Sequence, residues 1–381
     1  MTAERTAALL PRARRDVPAP AAAEQVVEAL RADLALAGTG GVLAAARQVT
    51  GALYGAGPLD PVLAQPGVSD VVVNGPGVVW VDRGAGLEDS GVRIEAERDL
   101  RALAHRLVTA AGRRLDDACP FADARMADGT RVHVVLPPIA PQGTTISLRV
   151  PPRRTFTLDD LVALGSLAPD GAQMLRRLIA ARVSFVVTGG TGTGKTTVLS
   201  TLLSEADPVQ RLLLVEDASE LRPRHPHVVR LEARAANAEG AGAVSLTDLV
   251  RQALRMRPDR LVVGEVRGPE VGDLLTALNT GHDGGCATIH ANRPQDVPAR
   301  FEALASSAGL SRASTHAQLI AGLQAVVHLK RCDDGRRVVD SLSLLEAVDG
   351  LAAVRVGCWL GPAGCRPGPA SEALAAVLGA R

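Results

Sequence analysis

Apolar residues change their spacing several times along this 381-residue chain, and each change predicts a boundary. Residues 1–22 are rich in Ala, Pro and Arg without apolar periodicity and read as a disordered, solvated tail. Glu24 to Leu53 carries apolar positions at helical spacing, broken at Gly38-Thr39-Gly40-Gly41, which predicts two amphipathic helices over a lead of residues 23–55. From Val68 the period falls to two. Asp70-Val71-Val72-Val73-Asn74 and Val78-Val79-Trp80-Val81-Asp82 read as strands around Asn-Gly and Pro-Gly turns. Leu100 to Ala111 reads as a helix, and Thr130–Leu136 and Thr144–Arg149 as further strands, so residues 56–150 form a small α/β domain. Pro151-Pro152-Arg153-Arg154 stops both helix and sheet and marks a linker over 151–157.

Beyond it, strand and helix alternate through residues 158–381. Helices are expected at Leu158–Leu164 and Met174–Ala181, and after Val198. Short apolar runs at Val183–Val187, Arg211–Val215, Leu261–Val263 and Ala287–Ile289 read as buried strands. Ser245-Leu246-Thr247-Asp248 spells a capping box for a helix stopped by Pro258, and Pro269 suits the first turn of the next one. Alternation of this kind predicts a mostly parallel sheet with helices on both faces.

Composition narrows the function classes. Charge is nearly balanced at +1, and aromatic residues make up 2% of the chain, which disfavours base-stacking surfaces and direct nucleic-acid binding. The five cysteines, Cys119, Cys286, Cys332, Cys358 and Cys365, form no C-x-x-C pair and read as reduced thiols. No apolar run of transmembrane length or signal-peptide core is visible, so the expected protein is soluble and cytoplasmic, touching a membrane only through partners.

One stretch carries decisive chemistry: Gly189-Gly190-Thr191-Gly192-Thr193-Gly194-Lys195-Thr196-Thr197, between an apolar strand and a helix. That context makes G-x-x-x-x-G-K-[ST] a phosphate-binding loop. Glycines let successive N–H groups face phosphate oxygens, and the following helix adds its positive end. Lys195 supplies a point charge, the Thr196 hydroxyl suits Mg²⁺, and Thr197 reads as first-turn structure.

Hydrolysis also needs an acid at the tip of a buried strand. Gly264-Glu265 ends one apolar run; Glu216-Asp217, with Glu220 close behind, ends another. In an open parallel sheet both tips line the ligand crevice. His282 and His290 bracket a Gly-rich turn and a strand without metal-ligand spacing. A structural histidine and a phosphate-sensing one both fit that spelling.

The run Arg255-Met256-Arg257-Pro258-Asp259-Arg260-Leu261-Val262-Val263-Gly264-Glu265-Val266-Arg267, with Asn279-Thr280-Gly281-His282 and Thr288-Ile289-His290-Ala291-Asn292, resembles the secretion ATPases of type II and type IV systems. Gly57-Pro58-Leu59, Val73-Asn74-Gly75 and Asp128-Gly129-Thr130-Arg131-Val132-His133 are similar to its CpaF-like branch, which assembles tight-adherence (Flp) pili. The resemblance implies a RecA-like ATPase domain behind a PAS-like N-terminal domain. It further implies a homo-hexamer that binds ATP and Mg²⁺ and drives an inner-membrane platform protein. It makes Gly189 to Thr196 the Walker A loop and Glu216, Asp217 and Glu220 an acidic box. Glu265 becomes the catalytic base, and His282 and His290 a His box. Glycine stands at 264, where many phosphate-loop enzymes carry aspartate, so Mg²⁺ is expected on Thr196, with Glu216, Asp217, Glu220 and Glu265 reaching it partly through water. Arg131 and Arg149 are candidates to neutralise phosphate charge; ordinary surface arginines would be spelled the same way. The zinc-binding tetracysteine insertion of many relatives is absent, and the stretch after Val348 has no counterpart in the resemblance. Two other readings share the same core: a DNA-transport ATPase of a conjugation or uptake system, and a nucleotide-gated scaffold with little hydrolysis.

Overall fold

The computed structural model describes residues 55–379 except 85, 152–153, 235, 237–240 and 282. The expected tail and helical lead therefore lie outside the described residues, save residue 55. The chain divides into two compact units between Pro152 and Arg153.

Among the described residues, the first unit has a short turn of helix, α1 (Asp60–Leu63), and six strands: β1 (Asp70–Asn74), β2 (Gly77–Asp82), β3 (Leu87–Ile94), β4 (Phe121–Arg125), β5 (Arg131–Val135) and β6 (Thr145–Arg149). They form one antiparallel sheet in the order β3-β2-β1-β6-β5-β4. Val132, Val134, Ile146 and Leu148 alternate inward, and α2 (Glu97–Ala110) covers that face with Leu100, Leu103, Leu107 and Val108. Glu97, at the start of α2, accepts hydrogen bonds from both the backbone N–H and the hydroxyl of Thr144.

In the second unit, α3 (Leu158–Ala163) and α4 (Pro169–Ala180) lead into β7 (Phe185–Gly189), the strand before the Gly-rich loop, followed by α5 (Lys195–Leu203). Then come β8 (Leu212–Glu216), β9 (Val228–Glu232), α6 (Leu246–Leu254), β10 (Arg260–Val263), α7 (Glu270–Asn279), β11 (Cys286–His290), α8 (Val297–Ser307) and α9 (Arg312–Gly322). The capping box at Ser245 forms as spelled: its hydroxyl accepts from Asp248 N–H while the Asp248 carboxylate accepts from Ser245 N–H. The chain closes with β12 (Ala325–Arg331), β13 (Arg337–Val348), β14 (Leu351–Trp359), β15 (Arg366–Pro367) and α10 (Ser371–Gly379).

Among the described residues, nine strands of this unit join one sheet, ordered β15-β14-β13-β12-β7-β11-β10-β8-β9. Five pairings, from β12 to β9, are parallel; the three from β12 outward to β15 are antiparallel. The parallel strands are apolar runs because both faces are covered. Phe185, Val187, Leu212, Leu214 and Val262 pack with α3, α4, α5 and α10, whereas Val186, Leu213, Val215, Leu261 and Val263 pack with α6 to α9. The stretch after Val348, which the resemblance left without a counterpart, extends this sheet. Cys358 and Cys365 are free thiols there. Among the described residues, no helix is long and apolar enough to cross a membrane.

Candidate functional site

β7 and β12 meet so closely that a side chain on Gly189 is impossible: a Cβ there would stand 2.6 Å from the Leu329 carbonyl oxygen. The loop then turns back, and Thr193 Oγ1 donates to Gly190 O (2.9 Å). Lys195 is buried at the first position of α5, and its ammonium donates to Gly189 O (3.1 Å) and Gly190 O (2.9 Å). Burial lowers its pKa, and Glu265 partly opposes that shift.

Lys195 Nζ also lies 3.4 Å from His290 Nδ1, and His290 Nε2 lies 2.8 Å from Glu265 Oε1. An ammonium can only donate, so Nδ1 is the acceptor and Nε2 carries the proton given to Glu265. Burial, then the positive charge of Lys195, pushes the imidazole pKa down, which favours this neutral tautomer. The other Glu265 oxygen accepts from Arg267. Asp217 and Glu220 add negative field at Arg267, whose pKa is raised chiefly by its bond to Glu265. The resulting row, Lys195–His290–Glu265–Arg267, runs across the carboxyl ends of β7, β11 and β10, where open α/β sheets bind ligands.

Backbone contacts hold Glu265 in place. Gly264 N–H donates to Val215 O (2.8 Å), Thr288 Oγ1 donates to Gly264 O (2.7 Å), and Val266 N–H donates to Thr288 O (2.9 Å). Arg300 steadies the middle of the row by donating to His290 O (3.0 Å).

Glu216 is the last residue inside β8 rather than a solvated acid beyond it, and only 4% of it is exposed. Its Oε1 accepts from the N–H groups of Glu220 and Leu221 (both 2.9 Å), while Oε2 is buried with no hydrogen-bond partner. Burial raises its pKa to about 7. A Cβ on Gly264 would stand 2.7 Å from Glu216 Cγ, so the glycine leaves the space that Glu216 fills. Asp217 is exposed just past the strand, and Glu220 is half-buried. Among the described residues no three His, Cys, Asp or Glu side chains form a ready-made metal cluster.

The remaining expected residues stand elsewhere or outside the description. Thr191 is exposed, Thr196 and Thr197 are half-buried in the first turn of α5, and Thr197 O accepts from Thr201. His282 lies outside the described residues; Gly285, three positions on, leads into the opposite end of β11 from His290 and accepts from Phe185 N–H. Arg131 and Arg149 belong to the first unit, where they are register partners, with Arg125 opposite Arg131 on the next strand. Arg267, Thr288 and Arg300 were not singled out from the sequence. Only Arg267 carried a signal, two residues after the strand-tip glutamate.

A mostly parallel sheet with this order, a Gly-rich G-x-x-x-x-G-K-T loop after a central strand and an acid at the tip of a strand beyond its neighbour define a RecA-like P-loop ATPase fold. The chain belongs to the family described as type II/IV secretion system protein, which matches residues 52–367. A Mycobacterium tuberculosis protein named for conjugal transfer is 51% identical over 81% of this chain and 90% of its own length. The conjugal transfer protein TrbB of Rhizobium radiobacter is 31% identical over 71% of this chain and 82% of its own. The crystal structure of the pilus retraction motor PilT with bound ADP superposes with a TM-score of 0.52 at 19% identity, covering 82% of this chain and 83% of that one. The Legionella pneumophila ATPase DotB gives the same score at 20% identity, over 74% of this chain and 78% of that one.

Proposed function

We propose that this chain is a cytoplasmic, hexameric motor that hydrolyses ATP to drive a secretion or pilus-assembly machine through an inner-membrane platform protein. The observation that carries this reading is the row Lys195–His290–Glu265 beside the phosphate loop. Loop N–H groups from Gly189 to Thr196 and the positive end of α5 hold the phosphates. Lys195 neutralises charge on the β- and γ-phosphates, Glu265 orients the attacking water and takes its proton, and His290 reports the γ-phosphate to Glu265. Arg131 and Arg149 are proposed to neutralise further phosphate charge. The acid set fits Mg²⁺ held mainly by Thr196 and the phosphates, with Glu216, Asp217, Glu220 and Glu265 reaching it through water; Glu216 Oε2 is buried without a hydrogen-bond partner, as an acid awaiting a further ligand would be. When bound, the ion would supply neutralisation of phosphate charge.

Phosphate release by the purified protein tests the assignment. Lys195→Ala should abolish turnover, and Glu265→Gln should bind ATP yet scarcely hydrolyse it; a Glu265→Gln variant turning over like wild type removes Glu265 from its role.

The names of its relatives favour a second reading, in which the transported substrate is DNA rather than a pilin. DNA-stimulated turnover with a salt-sensitive DNA affinity would rank that reading first. Unchanged turnover with DNA would favour the pilus branch, and no hydrolysis at all would leave a nucleotide-gated scaffold.

A further inference from the structure

The β12–β13 hairpin brings Arg337 to the flank of the phosphate loop that faces away from Glu265, with Arg331 as its register partner. β12 borders β7 on one side, whereas β11 and β10 lie on the other. Arg331 and Arg337 are register partners across the hairpin, so they share a face. That face is identified by the pair two positions inward, Leu329 opposite Val339, which points the same way. Both pack in the same core cluster as Val198, Leu199 and Leu202 of α5. Two positions beyond, the arginines extend the face past the core, toward the end where α5 begins.

Contact with the loop supports this direction. Gly194, the residue before Lys195, has φ +93°, and a Cβ built on it would stand 3.9 Å from Arg337 Cδ. The aliphatic stem of Arg337 thus lies along the start of α5. The hairpin is braced: Cys332 N–H donates to Arg336 O (2.8 Å), Gly335 N–H donates to Cys332 O (2.9 Å), and Lys330 pairs with Asp340. Arg336 pairs with Asp334. Among the described residues, the guanidinium groups of Arg331 and Arg337 have no hydrogen-bonding or ion-pair partner.

Like charges directly opposite one another destabilise an antiparallel pair. Here the pair also sits beside a helix N-terminus, which is itself positive. An anion between these groups would offset both effects. We propose that Arg337, with Arg331 opposite it, binds the phosphates common to ATP and ADP on the flank of the loop opposite Glu265. This rests on the nucleotide-binding reading above and adds a cation from the same unit to the proposed Lys195.

Titration of the full-length protein with fluorescent MgATP and MgADP tests this. Arg337→Ala should weaken both nucleotides by a similar factor of about tenfold or more, the scale of one charged hydrogen bond. KM should rise while kcat at saturating ATP stays unchanged, because the contact is equal in the ground and transition states. Arg337→Gln, which keeps the stem against Gly194, should behave alike even if the alanine variant folds poorly. Arg336→Ala, on the same hairpin but ion-paired, should bind as wild type. Wild-type affinity in Arg337→Gln overturns the assignment, and so does an equal loss in Arg336→Ala. If Lys195→Ala loses binding while Arg337→Gln does not, the phosphate site stands and this inference alone falls. If the wild-type protein binds neither nucleotide, both fall.

Discussion

The carboxyl group of Glu216 has a measurable consequence for stability. Its pKa moves from 4.5 to about 7 in the folded protein because burial penalises the charged form. Between those values the folded chain keeps a proton that the unfolded chain has released. Stability from this group is therefore fully present below pH 4.5, falls as pH rises toward 7 and is level above it. A shift of that size corresponds to on the order of 3 kcal/mol. Glu216→Gln should remove that slope: urea midpoints measured from pH 4.5 to 8 without nucleotide or Mg²⁺ should fall more steeply for wild type than for the variant. Parallel profiles would mean that Glu216 does not titrate in this window. The loop and Glu265 drew attention because their proposed chemistry is written in consecutive letters. The burial of Glu216 was not, since it depends on β8 running one residue further and on a missing side chain at Gly264, a neighbour only across the sheet. Arg337 escaped notice for the same reason.

At the scale of elements, the parallel strands stood out because cover on both faces makes them continuous apolar runs. Other strands hide. β4 points Ala122 and Ala124 inward and leaves Phe121 58% exposed, inverting the usual signal. β13 buries Ser341 and Ser343 and carries a register shift after Leu342, so no clean period survives. An anchor at the start of β10 was equally silent. Arg260 is 1% exposed and donates to Gln210 Oε1 (2.6 Å), Ile179 O (2.6 Å) and Gly284 O (3.2 Å), tying β10 to the end of α4 and to the turn before β11. Arg260→Ala strands three acceptors and opens a cavity, so it should cost about 3 kcal/mol. Urea denaturation should show a lower midpoint with an unchanged slope; a loss under 1 kcal/mol would mean that water replaces the guanidinium without cost.

At the scale of the whole molecule, each unit has its own core: Leu100, Val132 and Ile146 anchor one, and two clusters flank the nine-stranded sheet of the other. Units built this way fold separately. Limited proteolysis between Val150 and Thr155 should release two fragments that each keep their circular dichroism spectrum. Collapse of either fragment on cleavage would show that its core is insufficient alone. The fold class was legible in the alternation of strand and helix, whereas the antiparallel extension from β12 to β15 was not, because its order is set by hairpin pairing rather than by periodicity.

The fit between Gly264 and Glu216 also constrains how such a protein can diverge. A lineage acquiring an aspartate at 264 would collide with the glutamate, and one losing the glutamate first would leave a void behind the strand tip. Passage between these two arrangements therefore requires paired substitutions, and single-step intermediates should be selected against.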